Sequence, residues 1–397
     1  MARTFDRMIS GLQQRYAALP EERRPPLALR TAEGPLRVFG TGEPEATLVI
    51  RNGQGMAALA SMDHTAIAEA YVRNDLDVEG DLLRVLPVRH AFGDKHPLQY
   101  VMRFLRPLTM GQVKADRALV PEHYDRDPAF FLAFMDRRHR CYSHGFFSHD
   151  DESLEDAITR KLDFALEAVG ARAGSRVLDI GGGWGAMTEH AGRRGIRLTS
   201  LTISEPSRAF IQGIIDAQQL PCEVRMEHFF EHNPAEKYDA IVNLGVTEHL
   251  PDYPRTLKHY DTLLKPGGKV YLDASAHRIK HSVSTFLEKH IYRGNGSLMC
   301  LHEYMEAVAG SPFEAELVVN DRWNYALTTR HWARNLDNNR EMVIQRWGEP
   351  VYRLFRLYLW GCVDGFERGM LDAYHLVLSR MERTPAPWFA TRNEAGS

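Results

Sequence analysis

Apolar residues recur at helical spacing over residues 3–18, which predicts an N-terminal helix. After a proline-rich stretch at 19–26, two short apolar runs at 36–39 and 47–50, with Gly and Pro between them, predict strands. A helical period returns over 57–72, so residues 1–120 are expected to form an α+β domain, either lipid-binding or dimerising. Residues 93–140 also have a helical pattern, interrupted by Pro97, Pro107 and Pro121. From about residue 155 the rhythm changes. Helical periods at 154–169, 186–194, 206–219 and 254–264 alternate with apolar runs at 175–180, 197–203, 222–227, 238–244 and 269–274. Short buried strands alternating with helices predict an α/β, doubly wound, mostly parallel sheet for the second domain, 121–397. The tail 340–383 reads as helical, with Trp347, Tyr352, Phe355, Tyr358, Trp360 and Phe366 at near-helical spacing; these rings build core or line an apolar channel.

Composition narrows the function classes. The 397 residues are 44% hydrophobic and 25% charged, with a formal net charge of −3, so nothing global suggests nucleic-acid binding. No run approaches the roughly 18 apolar residues of a membrane span. Met-Ala-Arg-Thr-Phe-Asp-Arg at the start has no apolar core behind its charges, unlike a secretory signal. Cys141, Cys222, Cys300 and Cys362 lack metal-like spacing. A cytoplasmic protein is expected, with any membrane contact peripheral, at the inner surface; a homo-oligomer stays open. His228 and His232 have the spacing of helical metal ligands, but Pro234 follows and no third ligand accompanies them, so no metal is expected. The basic run His277, Arg278, Lys280, His281, Lys289, His290 and Arg293 suits acidic lipid head groups, or is a solvated helix face.

The sharpest chemical signal is Val177-Leu-Asp-Ile-Gly-Gly-Gly-Trp-Gly185, an apolar strand entering glycines and then a helix. Such a turn sits where doubly wound sheets bind nucleotides. Gly181, Gly183 and Gly185 allow close backbone approach. The spacing also fits a dinucleotide fingerprint. Asp179, however, would repel a pyrophosphate and attract the ammonium of an amino acid. The next strand, Leu201-Thr-Ile-Ser204, does not end in the carboxylate expected for a NAD ribose. Both features favour S-adenosylmethionine.

Taken in order, Tyr142-Ser-His-Gly-Phe-Phe147, the 179–185 loop, Leu201-Thr-Ile-Ser204, Gly245-Val-Thr-Glu-His249, Lys265-Pro-Gly-Gly268 and the 323–332 segment resemble the cyclopropane-fatty-acid synthase and mycolic-acid methyltransferase family. Ala68-Glu-Ala-Tyr71 followed by Asp75-Leu-Asp-Val-Glu-Gly-Asp81 resembles the extra N-terminal domain of bacterial lipid-modifying members. The resemblance implies a Rossmann-like, seven-stranded class I methyltransferase domain. It implies methyl transfer from S-adenosylmethionine to an alkene carbon of an unsaturated fatty-acyl lipid or other apolar alkene, giving a cyclopropane, methyl- or methylene-branched product. A C-, O- or N-methyltransferase of a small metabolite is the alternative, and a non-catalytic companion subunit a third.

By the same resemblance, Tyr142 and Ser143 contact the cofactor, and Thr202 and Ile203 meet its ribose and adenine. Ser207 replaces a usual glutamine, and His228 stands where an acidic residue meets the adenine, a surface-loop histidine being the other possibility. Glu248 matches the glutamate that holds a bicarbonate base, with Tyr325 near that anion. His144 replaces a cysteine, Asp273 a histidine and Ser275 an apolar residue, which alters three of the five groups around the anion. An aspartate there repels bicarbonate. His144 is therefore expected to serve as base, with Asp273 orienting it or holding a substrate group.

Overall fold

The computed structural model describes residues 2–32, 34–94, 96, 111–119, 127–292 and 296–381. The helix Ala2–Ala17 packs Met8, Ile9 and Leu12 against a four-stranded sheet. That sheet has the order β2-β1-β3-β4, with β1 Leu27–Thr31, β2 Arg37–Phe39, β3 Ala46–Ile50 and β4 Leu76–Gly80. The apolar pattern anticipated β2 and β3 but not β1 and β4. The helical stretch 57–72 is two helices, Gly53–Ala60 and His64–Val72. Asn52 caps the first by accepting from the N–H groups of Gln54 and Gly55, and Asp63 caps the second through Ala66. Met62, between them, has φ +54°, which a continuous helix cannot contain. Of the region 93–140, the helices Gln112–Leu119 and Pro128–Leu132 are described; 97–110, 120–126 and the expected boundary at 120 lie outside the described residues.

The second sheet has seven strands in the order β10-β11-β9-β8-β5-β6-β7. They are β5 Arg176–Ile180, β6 Arg197–Thr202, β7 Glu223–Met226, β8 Tyr238–Leu244, β9 Leu264–Ala276, β10 Phe313–Asn320 and β11 Asp372–Arg380. Strands β5 to β9 are parallel and the order reverses at β5, which opens a crevice at its carboxyl end. β11 runs antiparallel to both β9 and β10. Alternate strand residues enter separate cores: Ala240 and Val242 join one, and Ile241 joins the other. The fold is therefore the α/β, doubly wound, mostly parallel seven-stranded sheet expected for this domain.

The tail departs from the expected helix. Helices Arg340–Trp347 and Glu349–Glu367 give way at Gly369, φ +67°, and residues 372–380 form β11. Arg353 of the last helix fastens the two sheet units together. Its guanidinium donates to the carbonyls of Tyr71 (2.6 Å) and Leu76 (2.7 Å) and lies 3.1 Å from Asp77 Oδ1. Among the described residues, no helix is long and apolar enough to cross a membrane.

Candidate active site

At the carboxyl end of β5 the chain turns through Gly181 and Gly183, with φ +77° and +52°, into the helix Ala186–Gly192. A cavity of about 160 Å³ opens there. Tyr142, Ser143, Asp179, Gly181, Gly183, Thr202, Ile203, Ser207 and His228 all stand on its wall. Gly185 does not. A Cβ at Gly185 would meet Ile214 Cδ1 at 2.9 Å, so this glycine lets the loop pack on the helix Glu205–Gln218.

Burial pushes the Asp179 carboxyl up to about 6, against the Ser200 hydroxyl that donates to it at 2.7 Å and the charge of Lys161. A ligand ammonium beside it would hold it ionised. Ser207 donates to the Gly183 carbonyl at 2.5 Å and so steadies the loop. His228 is buried rather than on a surface loop. Its Nε2 lies 3.2 Å from Asp116 Oδ2 and its Nδ1 accepts from the Phe230 N–H. Asp116, on the helix Gln112–Leu119, also lines the cavity, and no sequence motif pointed to it. His232 turns instead to Glu227 (2.6 Å) and the Tyr238 hydroxyl (2.9 Å). The donor and acceptor set fits S-adenosylmethionine: a carboxylate for its ammonium and a backbone cradle free of side chains. In Gly181→Ala, the new Cβ would lie 2.4 Å from Val246 Cγ2 at a positive φ. Calorimetry should show S-adenosylhomocysteine affinity reduced at least about tenfold, the equivalent of ~1.4 kcal/mol of strain.

Behind Tyr142 and Ser143 lies a cluster of buried ionisable groups. Lys161 is fully buried on the inner face of the helix Leu154–Ala168. Its ammonium donates to Ser143 Oγ (2.6 Å), Cys141 Sγ (3.3 Å) and Asp273 Oδ2 (3.3 Å), which uses all three protons. Burial opposes that charge, but Asp273 and Cys141 outweigh it and the pKa stands above the usual lysine value. Asp273 pairs with Lys161, and the carboxylate beside His144 is a different one. His144 Nε2 lies 3.1 Å from Asp321 Oδ2, just beyond β10, and the same oxygen takes His375 Nδ1 from β11. Burial works against the Asp321 carboxylate, yet the two imidazoles hold it well below the usual range. Lys161, Asp321 and His375 were missed in the sequence. Lys161 had one signal, a lysine on the stripe of Ala157, Ile158, Leu162 and Ala165; the other two become visible only once β10 and β11 pair.

Glu248 stands at the centre of this layer. Its Oε1 accepts from the Ser275 N–H (2.7 Å) and the Ser275 hydroxyl (2.6 Å), while its enclosed Oε2 has no hydrogen-bond partner among the described residues. Burial pushes its carboxyl up to about 7, with nearby Asp273 adding to the rise and the Ser275 donors opposing it. Tyr325 stacks on Phe366 at 4.5 Å between ring centroids and lies 4.9 Å from the His144 ring. Burial, then Glu248, raises its hydroxyl far above its ordinary value. Bicarbonate does not fit here. It would meet the carboxylates of Glu248 and Asp273, while the Lys161 ammonium and the Ser275 donors are already committed.

On the far side of this layer is a second cavity, of about 540 Å³ and overwhelmingly apolar. Ser275, Tyr325 and Trp332 form its wall nearest the charged cluster. Tyr142 lines the nucleotide cavity and stacks on Trp332, which lines the apolar one (5.2 Å). At this point the stacked rings of Tyr142 and Trp332 lie between the two spaces.

Known proteins share this architecture. A family model described as mycolic acid cyclopropane synthetase matches residues 112–376. The chain is 23% identical over 376 residues to a probable fatty acid methyltransferase of Pseudomonas putida, covering 89% of this chain and 93% of that protein. It is 29% identical over 283 residues to cyclopropane mycolic acid synthase 3 of Mycobacterium tuberculosis, covering 66% of this chain and 96% of that one. The crystal structure of a mycolic acid cyclopropane synthase complexed with SAH and CTAB aligns with a TM-score of 0.61 and 25% identity, over 66% of this chain and 96% of that one.

Proposed function

We infer the function from the family: the chain belongs to the mycolic acid cyclopropane synthetase family and is an S-adenosylmethionine-dependent methyltransferase. On that premise we propose that it methylates an alkene carbon of an unsaturated fatty-acyl lipid. The observation that carries this is a nucleotide cavity and a large apolar one whose walls meet at the stacked rings of Tyr142 and Trp332.

S-adenosylmethionine, when bound, supplies an electrophilic methyl group on a sulfonium. The chain's own residues do the rest. Asp179 and the glycine turn fix the donor, and the apolar cavity holds an isolated alkene, a poor nucleophile, dry and aligned. Methylation of one alkene carbon leaves positive charge on its neighbour. The faces of Tyr325, Trp332 and Phe366, all on the cavity wall, stabilise that charge without trapping it. Glu248 Oε2 then accepts a proton from the methylated chain. Loss of that proton from the new methyl closes a cyclopropane ring; a hydride shift beforehand leads to a branch. His144, its Nε2 3.1 Å from Asp321 and its ring 4.9 Å from that of Tyr325, positions Tyr325. A small polar metabolite would leave most of the apolar cavity unfilled.

Lipids from cells expressing the protein test this. Mass spectrometry should show acyl chains heavier by one CH₂, and fewer of them with Gly181→Ala. Unchanged acyl chains alongside methylation of a water-soluble metabolite would contradict it.

A further inference from the structure

The matching family model starts at residue 112, so the four-stranded sheet unit lies outside it. That unit nevertheless builds one wall of the apolar cavity. Leu29 of β1, Leu48 of β3 and Val78 of β4 are direct register partners, and all three line the space. Leu27 and Leu76, two residues away along their strands, face the same way and line it too. Ser275, the hydrogen-bond partner of Glu248, and Tyr325 line the same cavity. Among the described lining residues only His90, Asp94 and Ser282 are exposed, and they mark the mouth.

We propose that the β1–β3–β4 face receives the methyl end of the acyl chain and sets how far the reacting double bond lies from that end. The proposal rests on the lipid-methylation reading above. A polar head group buried without partners is costly, so the head stays at the mouth. The double bond must reach Tyr325 and Glu248. The methylenes beyond it need apolar volume, and within the same cavity the row Leu29, Leu48 and Val78 offers it. Arg353, bound to the carbonyls of Tyr71 and Leu76, holds that wall at a fixed distance from the reaction centre. Burying each methylene is worth about fourfold in binding, so a wall moved by one or two methylenes changes selectivity measurably.

The test uses the full-length protein, labelled S-adenosylmethionine and a panel of monounsaturated acyl lipids that differ only in the distance from double bond to methyl end. Val78→Trp, which fills the wall, should shift the preferred distance shorter, changing kcat/KM ratios by at least about fourfold. Leu48→Ala, which deepens it, should shift the preference longer. Should Val78→Trp not fold, Leu48→Ala decides alone. Unchanged affinity for S-adenosylhomocysteine confirms an intact nucleotide site. Equal losses across the panel, or an unchanged preference in a folded variant, would overturn the proposal. If the wild type methylates no acyl lipid at all, the lipid-methylation reading itself fails, and this proposal with it.

Discussion

Glu248→Gln is expected to lower kcat by roughly 10²–10⁴-fold, the usual worth of a positioned proton acceptor. Affinity for S-adenosylhomocysteine should be unchanged, because Glu248 does not line the nucleotide cavity. The glutamine keeps the size of the side chain and its acceptor for the Ser275 N–H and hydroxyl, but cannot take a proton. The wild-type pH profile should carry the same signature. Burial raises this carboxyl to about 7, so the ionised, proton-accepting form, and with it turnover, should rise as pH passes about 7. Stability runs the other way. The folded-state pKa lies above the ordinary value of 4.5, so the folded protein binds this proton more tightly. The stabilisation is complete below pH 4.5 and is lost as pH rises through about 7. Rate measurements and chemical denaturation across this range check both slopes, and the variant should show neither.

Lys161→Met should destabilise the protein by roughly 3–5 kcal/mol, because it leaves Asp273 as a buried carboxylate without its counter-charge. Asp273 is fully buried, and its Oδ1 already lacks a partner among the described residues. Adding Asp273→Leu to Lys161→Met should recover most of the loss, since removing both members of a buried pair costs far less than removing one. Urea unfolding of the two single variants and the double variant measures the coupling. If Lys161→Met is as stable as the wild type, the ion pair does not hold this layer together. The pair also reaches the nucleotide cavity, because Lys161 donates to Ser143 on its wall.

What could be read from the sequence followed how local each feature is. The glycine turn is legible because an apolar strand, three glycines and a helix start are contiguous, and nine of the ten residues assigned to the cofactor line one cavity. The parallel strands announce themselves as apolar runs because both faces of the sheet are buried. β10 was legible in principle: Phe313-Glu-Ala-Glu-Leu317 alternates, and its burial alternates too. β11 was hidden because its apolar run follows directly on the aromatic helix Glu349–Glu367. The break at Met62 was carried by the Asp63 cap of the second helix, which apolar periodicity does not register.

The charged layer was only half visible. Glu248, His144, Asp273 and Tyr325 stood in motifs, but their partners did not. His144 and Asp273 sit on different elements, and their pairing depends on which side chains the folded sheet brings opposite. Register places His375 directly opposite Asp273 across β9 and β11, and Asp321 follows β10, so a strand pair unseen in the sequence supplies the acid that holds His144. The apolar cavity was illegible for the same reason, since its walls come from units far apart in the chain.

The central claim is that the methyl group passes directly from the donor to a carbon of an acyl chain held in the apolar cavity, with Glu248 taking the proton that is then lost. Purified protein, S-adenosylmethionine carrying a ¹³C-methyl group, and vesicles containing an unsaturated phospholipid test it by carbon NMR. The account predicts the label in a cyclopropane or methylene-branch carbon of the acyl chain. Label on oxygen or nitrogen, or no label in the lipid at all, would contradict it.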